Sequence, residues 1–159
     1  MINQQISTKS IARIAAIQTL YQFASSKGES DIGSVLLRIK EFYKDSGFKS
    51  DHDIDETSKL KLKPSYSYLD DLVKYTHDNL PEIDETIARL LIKEWTITNI
   101  PMLLHAALRV AICEINYFPE TPKKVIINEY TDIANDMLDE NEIGFVNSIL
   151  HNHSQSRQK

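Results

Sequence analysis

Apolar side chains recur along this chain three or four residues apart, which is the spacing of an amphipathic helix rather than of a strand. About seven segments follow this pattern, with prolines, glycines and polar stretches between them. The fifth segment, residues 102–117, is apolar nearly all round, and a helix of that kind belongs in the centre of a protein. The pattern therefore predicts an all-α bundle of about seven helices, with residues 1–159 forming a single domain.

Capping residues predict where several of these helices begin. Ser7 or Thr8 can cap the first helix, and Asn99 can cap the fifth. Asp139, with Glu142 three residues later, forms a capping-box-like start to the seventh helix. Each of these side chains would satisfy a backbone group that the first turn of a helix leaves without a partner.

Two segments lack an apolar stripe. Residues 44–64 carry mixed charge and few large apolar side chains, so we interpret them as a long surface loop. Residues 151–159 are polar, and we expect them to form a frayed tail. Neither segment is therefore expected to bury much apolar surface.

Net charge and cysteine content narrow the class of protein. The chain has a net charge of −5 and a pI near 5.5, whereas proteins that bind RNA unaided usually present a basic surface. We therefore expect any nucleic-acid role to depend on a small basic patch or on a more basic partner. No apolar run approaches the roughly 20 residues that span a bilayer, and the N-terminus lacks the features of a secretory signal. A single cysteine excludes an internal disulfide, and we expect a cytoplasmic protein.

Motifs of catalysis and metal binding are missing from the sequence. It contains no glycine-rich phosphate loop, nucleophile elbow or HExxH zinc motif. His151 and His153 are two residues apart, so on a helix they point in different directions and suit a metal poorly. Cys113 lies in an apolar segment without an adjacent basic residue and is better explained as a buried structural thiol than as a nucleophile. Glu114 and Glu129 are better explained by structural or interface salt bridges than as an acid–base pair, so we expect no enzyme.

Two charged residues of the fifth helix need partners from elsewhere. Arg109 and Glu114 are five residues apart, which separates them by about 140° around the helix axis. They cannot pair along one face. Each is therefore expected to reach another helix or a binding partner.

Two places along the chain suggest contacts with RNA. Lys9 and Arg13 are four residues apart and share a face of the first helix, although a solvated helix edge is the simpler explanation. Near the start of the seventh helix, Asn141 and Phe145 could hydrogen-bond to and stack on unpaired bases. The spacing of Phe145 fits a core position equally well, so periodicity leaves both interpretations open.

Four segments, taken in order, resemble motifs of the NusB family of transcription antitermination factors. They are Ala12-Arg13 followed by Gln18 to Tyr21, Leu108 to Ile115, Pro122 to Glu129, and Phe145 to Leu150. They are similar to the family patterns Ala-Arg with Gln-Ala-Leu-Tyr, Leu-Arg-x-Ala-x-Tyr-Glu-Leu, Pro-x-Lys-Val-x-Ile-Asn-Glu, and Phe-Val-Asn-Gly-Val-Leu. The matches extend over nearly the whole chain, so the combination is more specific than any one of them.

The resemblance implies an all-helical fold, no catalysis, no cofactor, and a role in transcription antitermination. It implies a complex with NusE, a small-subunit ribosomal protein, which together with this chain would recognise the boxA element of single-stranded nascent RNA. That RNA would be ribosomal above all, within the transcription complex with RNA polymerase. By family position, Tyr21 and Glu114 are expected to contact NusE. The residues expected along the RNA are Lys9, Arg13, Asn141 and Phe145.

The chain also departs from the family patterns. Cys113 replaces the aromatic residue of the central motif, Ser148 replaces a glycine, and only Lys9 and Arg13 remain of an arginine-rich N-terminus. These departures leave two alternatives, a diverged NusB-like module that binds only protein, and an unrelated helical scaffold. Binding to NusE and to boxA RNA would distinguish them.

Overall fold

A computed structural model describes residues 7–45, 63–92 and 94–156. These residues form seven α-helices and no β-strand, which confirms the predicted all-α fold. The helices are α1 (Thr8–Ser25), α2 (Ile32–Asp45), α3 (Tyr66–Asp78), α4 (Leu80–Leu90), α5 (Met102–Tyr117), α6 (Lys123–Met137) and α7 (Glu140–Ser156). The chain divides after Asp71 into two compact units, and the single domain over residues 1–159 stays a prediction.

The first unit contains α1, α2 and the beginning of α3. As predicted, α1 is capped by Ser7, whose hydroxyl accepts a hydrogen bond from the backbone N–H of Ser10 at 3.0 Å. α1 packs on α2, and buried apolar side chains of both helices form the core of the unit. Tyr43 of α2 is buried and donates to Gln18 Oε1 at 2.7 Å. Its burial raises the pKa of Tyr43 to about 12, an effect that the hydrogen bond only partly offsets.

Helix α5 is the central helix of the second unit. It packs against α4, α6 and α7, and ten of its sixteen residues are buried. The prediction that this apolar segment lies in the centre is therefore confirmed for its unit. No helix in the described parts of the chain is long and apolar enough to cross a membrane.

Charged side chains of α5 find their partners on neighbouring helices. Arg109 donates to the two carboxylate oxygens of Asp84 in α4, at 2.9 and 2.7 Å, and His105 lies 2.8 Å from the same carboxylate. Glu114 accepts a hydrogen bond of 2.7 Å from the hydroxyl of Tyr130 in α6. The expectation that Arg109 and Glu114 each reach another helix is confirmed.

The predictions for the two polar segments, the loop and the C-terminal tail, compare differently with the structure. The predicted loop over residues 44–64 lies mostly outside the described residues, although its first two residues belong to α2. The predicted frayed tail was wrong for residues 151–156, which continue α7 with His153 and Ser154 buried. His153 Nε2 lies 2.7 Å from Asn116 Oδ1 on α5, and this hydrogen bond allows a polar stretch to pack against the core. Residues 157–159 lie outside the described residues.

The predicted cap of α5 was also wrong. Asn99 accepts a hydrogen bond from the backbone N–H of Thr96 at 2.6 Å and donates to the carbonyl of Glu94 at 2.8 Å. It therefore closes the preceding turn, and Pro101 occupies the N-cap position of α5. An asparagine amide suits a turn as well as a helix cap, so the sequence did not distinguish the two.

The lowered pKa of Asp84 makes the free energy of unfolding depend on pH. Burial by itself would raise the pKa of Asp84, but the hydrogen bonds and charges of Arg109 and His105 outweigh it and lower the pKa from 3.8 to about 2. Such a group stabilises the folded state above its unfolded pKa of 3.8, and this contribution is lost as the pH falls toward 2. Asp84→Asn should therefore lower the free energy of unfolding at neutral pH, and the deficit should shrink as the medium is acidified through that range.

Urea unfolding followed by circular dichroism at several pH values measures this deficit. Glu85→Gln is the matched control, because Glu85 is an exposed carboxylate on the same helix. A deficit for Asp84→Asn that does not vary with pH would contradict the prediction.

Candidate functional site

Two cations and one aromatic ring lie together at the N-terminal end of α1, in the first unit. The ammonium of Lys9 is 5.1 Å from the centroid of the Tyr68 ring, and the guanidinium carbon of Arg13 is 5.6 Å from it. Both distances are within the range of cation–π attraction. The start of α3 is held beside α1 by a hydrogen bond of 2.9 Å from the backbone N–H of Ser65 to the carbonyl of Thr8. Lys9, Arg13 and Tyr68 are called the basic cluster below.

The two cations of the basic cluster differ in exposure. Lys9 is exposed, whereas only 3% of the surface of Arg13 is accessible. A solvated helix edge describes Lys9 correctly but was wrong for Arg13, which packs against Tyr68. Contact with RNA stays a prediction for both residues. Of the two, Lys9 is the one that a phosphate can reach directly.

The first turn of α7 has one half of the capping box that the sequence predicted, because the side chain of Glu142 caps the backbone N–H of Asp139 while the side chain of Asp139 does not cap Glu142. The backbone N–H of Asp139 donates to Glu142 Oε2 at 3.4 Å, and the backbone N–H of Glu142 donates to the carbonyl of Asp139 at 2.9 Å. Acidic side chains in this turn also interact favourably with the helix dipole. The turn leaves Asn141 exposed and Phe145 half-buried.

A cavity of about 410 Å³ lies beside this turn, in the second unit, and is called the α7 cavity. Its walls are formed by Trp95, Leu104, Asp139, Asn141, Glu142 and Phe145. The rings of Trp95 and Phe145 contact each other, with centroids 5.9 Å apart and planes tilted by 52°. The structure thus brings the predicted residues Asn141 and Phe145 to one cavity. Phe145 is a cavity wall rather than a fully buried core residue.

Two residues at these sites were missed by the sequence analysis. Tyr68 lies on α3, far along the sequence from Lys9 and Arg13 on α1. Only the approach of α3 to α1 brings the ring against the two cations. Trp95 follows α4 and meets Phe145 only through the fold of the second unit. The one signal available in the sequence was that the single tryptophan of the chain, Trp95, lies between two helical patterns rather than on an apolar stripe, and the structure leaves it 41% exposed.

The residues expected to contact a protein partner differ in accessibility. Tyr21 lies on α1 with 39% of its surface exposed. Glu114 is completely buried and accepts the hydrogen bond from Tyr130. Contact of either residue with a partner stays a prediction. For Glu114, however, the structure gives a role inside the chain that is sufficient to explain a glutamate at this position.

The cysteine and histidine side chains that could take part in catalysis or metal binding are buried or hydrogen-bonded within the chain. Cys113 is buried, as predicted, and burial raises the pKa of its thiol to about 12, which disfavours a thiolate. His153 is buried against Asn116, while His151 is exposed and lies beside Gln155. Within the described ranges, no group of three or more His, Cys, Asp or Glu side chains is arranged to hold a metal ion.

Comparison with known proteins identifies relatives of this chain. The NusB family model matches residues 10–155. A protein named transcription antitermination protein NusB, from Rickettsia bellii, is 45% identical over 150 residues, which cover 94% of this chain and 92% of the relative. The solved structure of NusB from T. maritima has a TM-score of 0.71 and 25% identity, covering 92% of this chain and 89% of that one. A structure of antitermination factors NusB and NusE in complex with dsRNA has a TM-score of 0.71 and 20% identity, with coverage of 96% and 99%, and shows likeness of fold.

The burial of Glu114 predicts the effect of reversing its charge. Glu114→Lys would place an ammonium group in a buried site and leave the hydroxyl of Tyr130 without its acceptor. We expect a loss of at least about 3 kcal/mol in the free energy of unfolding, measured by urea titration. Glu120→Lys, the same change at an exposed position, should stay within about 0.5 kcal/mol. Equal stability of the two variants would show that Glu114 is not a core group.

Proposed function

The chain belongs to the NusB family, and on that basis we propose that it is a transcription antitermination factor that binds RNA together with NusE. The pair recognises boxA-type single-stranded RNA in nascent transcripts, ribosomal RNA above all, within the transcription complex with RNA polymerase. The protein acts in the cytoplasm as a binding factor and catalyses no reaction.

Family membership over nearly the whole chain is the observation that carries the proposal. The family match extends from residue 10 to residue 155, and relatives 45% identical to this chain carry the name transcription antitermination protein NusB. The structural neighbour that is a complex with NusE and dsRNA supports the choice of partners. The alignment covers 92% of this relative, so the likeness is not confined to one segment of it.

Two surfaces offer the kinds of contact that single-stranded RNA requires. The basic cluster presents the exposed ammonium of Lys9, which can neutralise a phosphate. The α7 cavity presents the amide of Asn141 and the ring of Phe145, which suit the edges and faces of bases. Positive charge for phosphates combined with aromatic surface for bases is the usual means of binding single strands.

The charge of the chain explains why a partner is needed. With a net charge of −5 and one well-exposed cation in the basic cluster, the protein alone can neutralise few phosphates. Each phosphate contact contributes about −0.7 to the slope of log affinity against log salt for a single strand. Binding by the chain alone should therefore be weak and only slightly sensitive to salt. NusE would add contacts on a contiguous surface and so tighten the complex.

The alternative function is that the chain binds NusE but no RNA. The negative net charge and the burial of Arg13 favour this alternative, because they reduce the positive surface that RNA can reach. The two proposals agree on NusE and differ only in whether the complex binds boxA RNA.

RNA binding is tested by fluorescence anisotropy with labelled boxA RNA, with and without NusE, across a series of salt concentrations. We expect weak binding by the chain alone and much tighter binding by the complex. In the complex, Lys9→Ala should weaken binding to all sequences similarly and make the salt slope shallower by about 0.7.

Arg38→Ala is the matched control for this change, because Arg38 is an exposed cation of the same unit, on α2. It should leave affinity and slope unchanged. Tight binding without NusE would refute the electrostatic argument. A complex with NusE that binds no RNA would leave the protein-only alternative.

The protein partner is tested by changing the exposed Tyr21. Tyr21→Asp places a charge where an aromatic contact is expected, and such contacts commonly contribute about 2 kcal/mol or more. We expect affinity for NusE, measured by calorimetry, to fall about tenfold or more while helicity is retained. Gln22→Asp, which introduces the same charge at the next exposed position of α1, is the control for a general electrostatic effect. Equal losses in the two variants, or no loss in either, would remove Tyr21 from the interface.

A further inference from the structure

Resting on the proposed function, we propose that the α7 cavity holds one unpaired base of the RNA, stacked on the indole of Trp95. We further infer that the cavity selects a base with an exocyclic amino group over uracil. The inference adds Trp95 and Asp139 to the residues that contact RNA and assigns them separate roles, one for the face of the base and one for its edge.

The α7 cavity has the size and lining of a site for a small planar molecule. Its volume of about 410 Å³ lies within the roughly 300–1,000 Å³ typical of ligand pockets. Two aromatic rings and Leu104 form its apolar walls, and three polar side chains complete it. Pockets with mostly apolar walls and a few polar groups bind ligands whose faces are apolar and whose edges are polar. A nucleobase has both features.

The rings of the cavity favour one stacking surface. Trp95 and Phe145 already contact each other at a centroid distance of 5.9 Å and a tilt of 52°, so a base does not fit between them. Trp95 is 41% exposed, whereas Phe145 is half-buried. The base therefore stacks on the indole, and Phe145 supports the indole through their contact. The large face of tryptophan is well suited to this role, because base–aromatic stacking needs π surface and no particular base.

The polar walls determine which edge of the base the cavity accepts. The side chains of Asp139 and Asn141 make no hydrogen bond within the described part of the chain, so both are available to a ligand. A carboxylate such as that of Asp139 accepts hydrogen bonds and donates none. Adenine, cytosine and guanine each carry an amino group that donates to such an acceptor. Uracil has carbonyl oxygens in place of an amino group, and its one donor on that edge, the N3–H, lies between two carbonyls that a carboxylate repels.

The same walls determine how the strand approaches. Asp139 and Glu142 place two negative charges at the cavity, and these repel a phosphate. The base consequently enters the cavity while the sugar–phosphate backbone stays outside it. Contacts in the cavity thus neutralise no phosphate, so changes to its uncharged walls should alter affinity without altering the salt slope. The salt slope therefore distinguishes substitutions in the α7 cavity from substitutions in the basic cluster.

Occupancy of the cavity can be measured directly, because Trp95 is the only tryptophan of the chain. Titration of the complex with unlabelled boxA RNA should change the fluorescence of Trp95 in parallel with the anisotropy measured on labelled RNA. The Trp95→Phe variant, complexed with the same NusE, supplies the background emission for subtraction. Saturable anisotropy with unchanged Trp95 fluorescence would overturn the inference and leave the proposed function intact. The absence of any anisotropy change would overturn both.

Variants of the cavity test the stacking role. Trp95→Ala should weaken RNA binding roughly 5- to 150-fold with an unchanged salt slope, whereas Trp95→Phe should retain most of the affinity. Val125→Ala, an exposed apolar position on α6, is the matched control and should have no effect. Circular dichroism and melting temperature establish that each variant is folded. Full affinity in a folded Trp95→Ala variant would overturn the inference, and so would a loss that Trp95→Phe shares equally.

Replacing each adenine, cytosine and guanine of the RNA by uracil, one at a time, tests the selection of the base. At one position the replacement should weaken binding several-fold in the unchanged protein and have little further effect in Asp139→Asn or Trp95→Ala. Such non-additivity shows that the base and the side chain act together. Losses that are additive at every position, or tighter binding of uracil at the position coupled to Trp95, would overturn the proposed selectivity.

Discussion

A helix buried on nearly every side must have its polar groups satisfied by its neighbours, because a buried polar group left unpaired costs about 1–3 kcal/mol. α5 meets this requirement with partners on α4, α6 and α7. The pairs are Arg109 and His105 with Asp84 of α4, Glu114 with Tyr130 of α6, and Asn116 with His153 of α7. Apolar burial supplies most of the stabilisation, but it is not directional. The hydrogen bonds are directional, and they specify which helix of the second unit lies on which side of α5.

This requirement also explains which features the sequence predicted. The apolar character of α5 indicated its burial, and the five-residue spacing of Arg109 and Glu114 indicated partners on other helices. In contrast, the contact of Arg13 with Tyr68 arises only through the approach of α3 to α1. The extension of α7 depends in the same way on a hydrogen bond between His153 and α5. Helical periodicity reports which positions of one segment are apolar, and it contains no information on polar pairs formed between distant segments.

The small number of accessible positive charges determines how strongly the chain alone can bind RNA in the proposed mode. A chain with a net charge of −5 gains little from phosphates, and the basic cluster increases that gain only through Lys9, since Arg13 is 3% exposed. The packing of Lys9 on Tyr68 restrains its side chain, so less conformational entropy is lost when a phosphate binds. Weak but ordered contacts of this kind suit a protein whose affinity is completed by a partner. They allow the RNA to be released when the partner is absent, which a strongly basic surface would not.

Glu114 shows that a residue of a family motif can be required for packing inside the chain rather than for binding a partner. The central motif that resembles the NusB family places Arg109 and Glu114 on α5, and both side chains are used in packing the second unit. A residue whose partner lies within its own chain is required by the fold, whether or not the protein binds anything. Tyr21 differs, because it is 39% exposed and its ring is accessible to another molecule. The residues that carry the resemblance therefore include two kinds, those that build α5 and its neighbours and those that remain at the surface. Only the second kind can be tested for binding by substitution without also changing the stability of the fold.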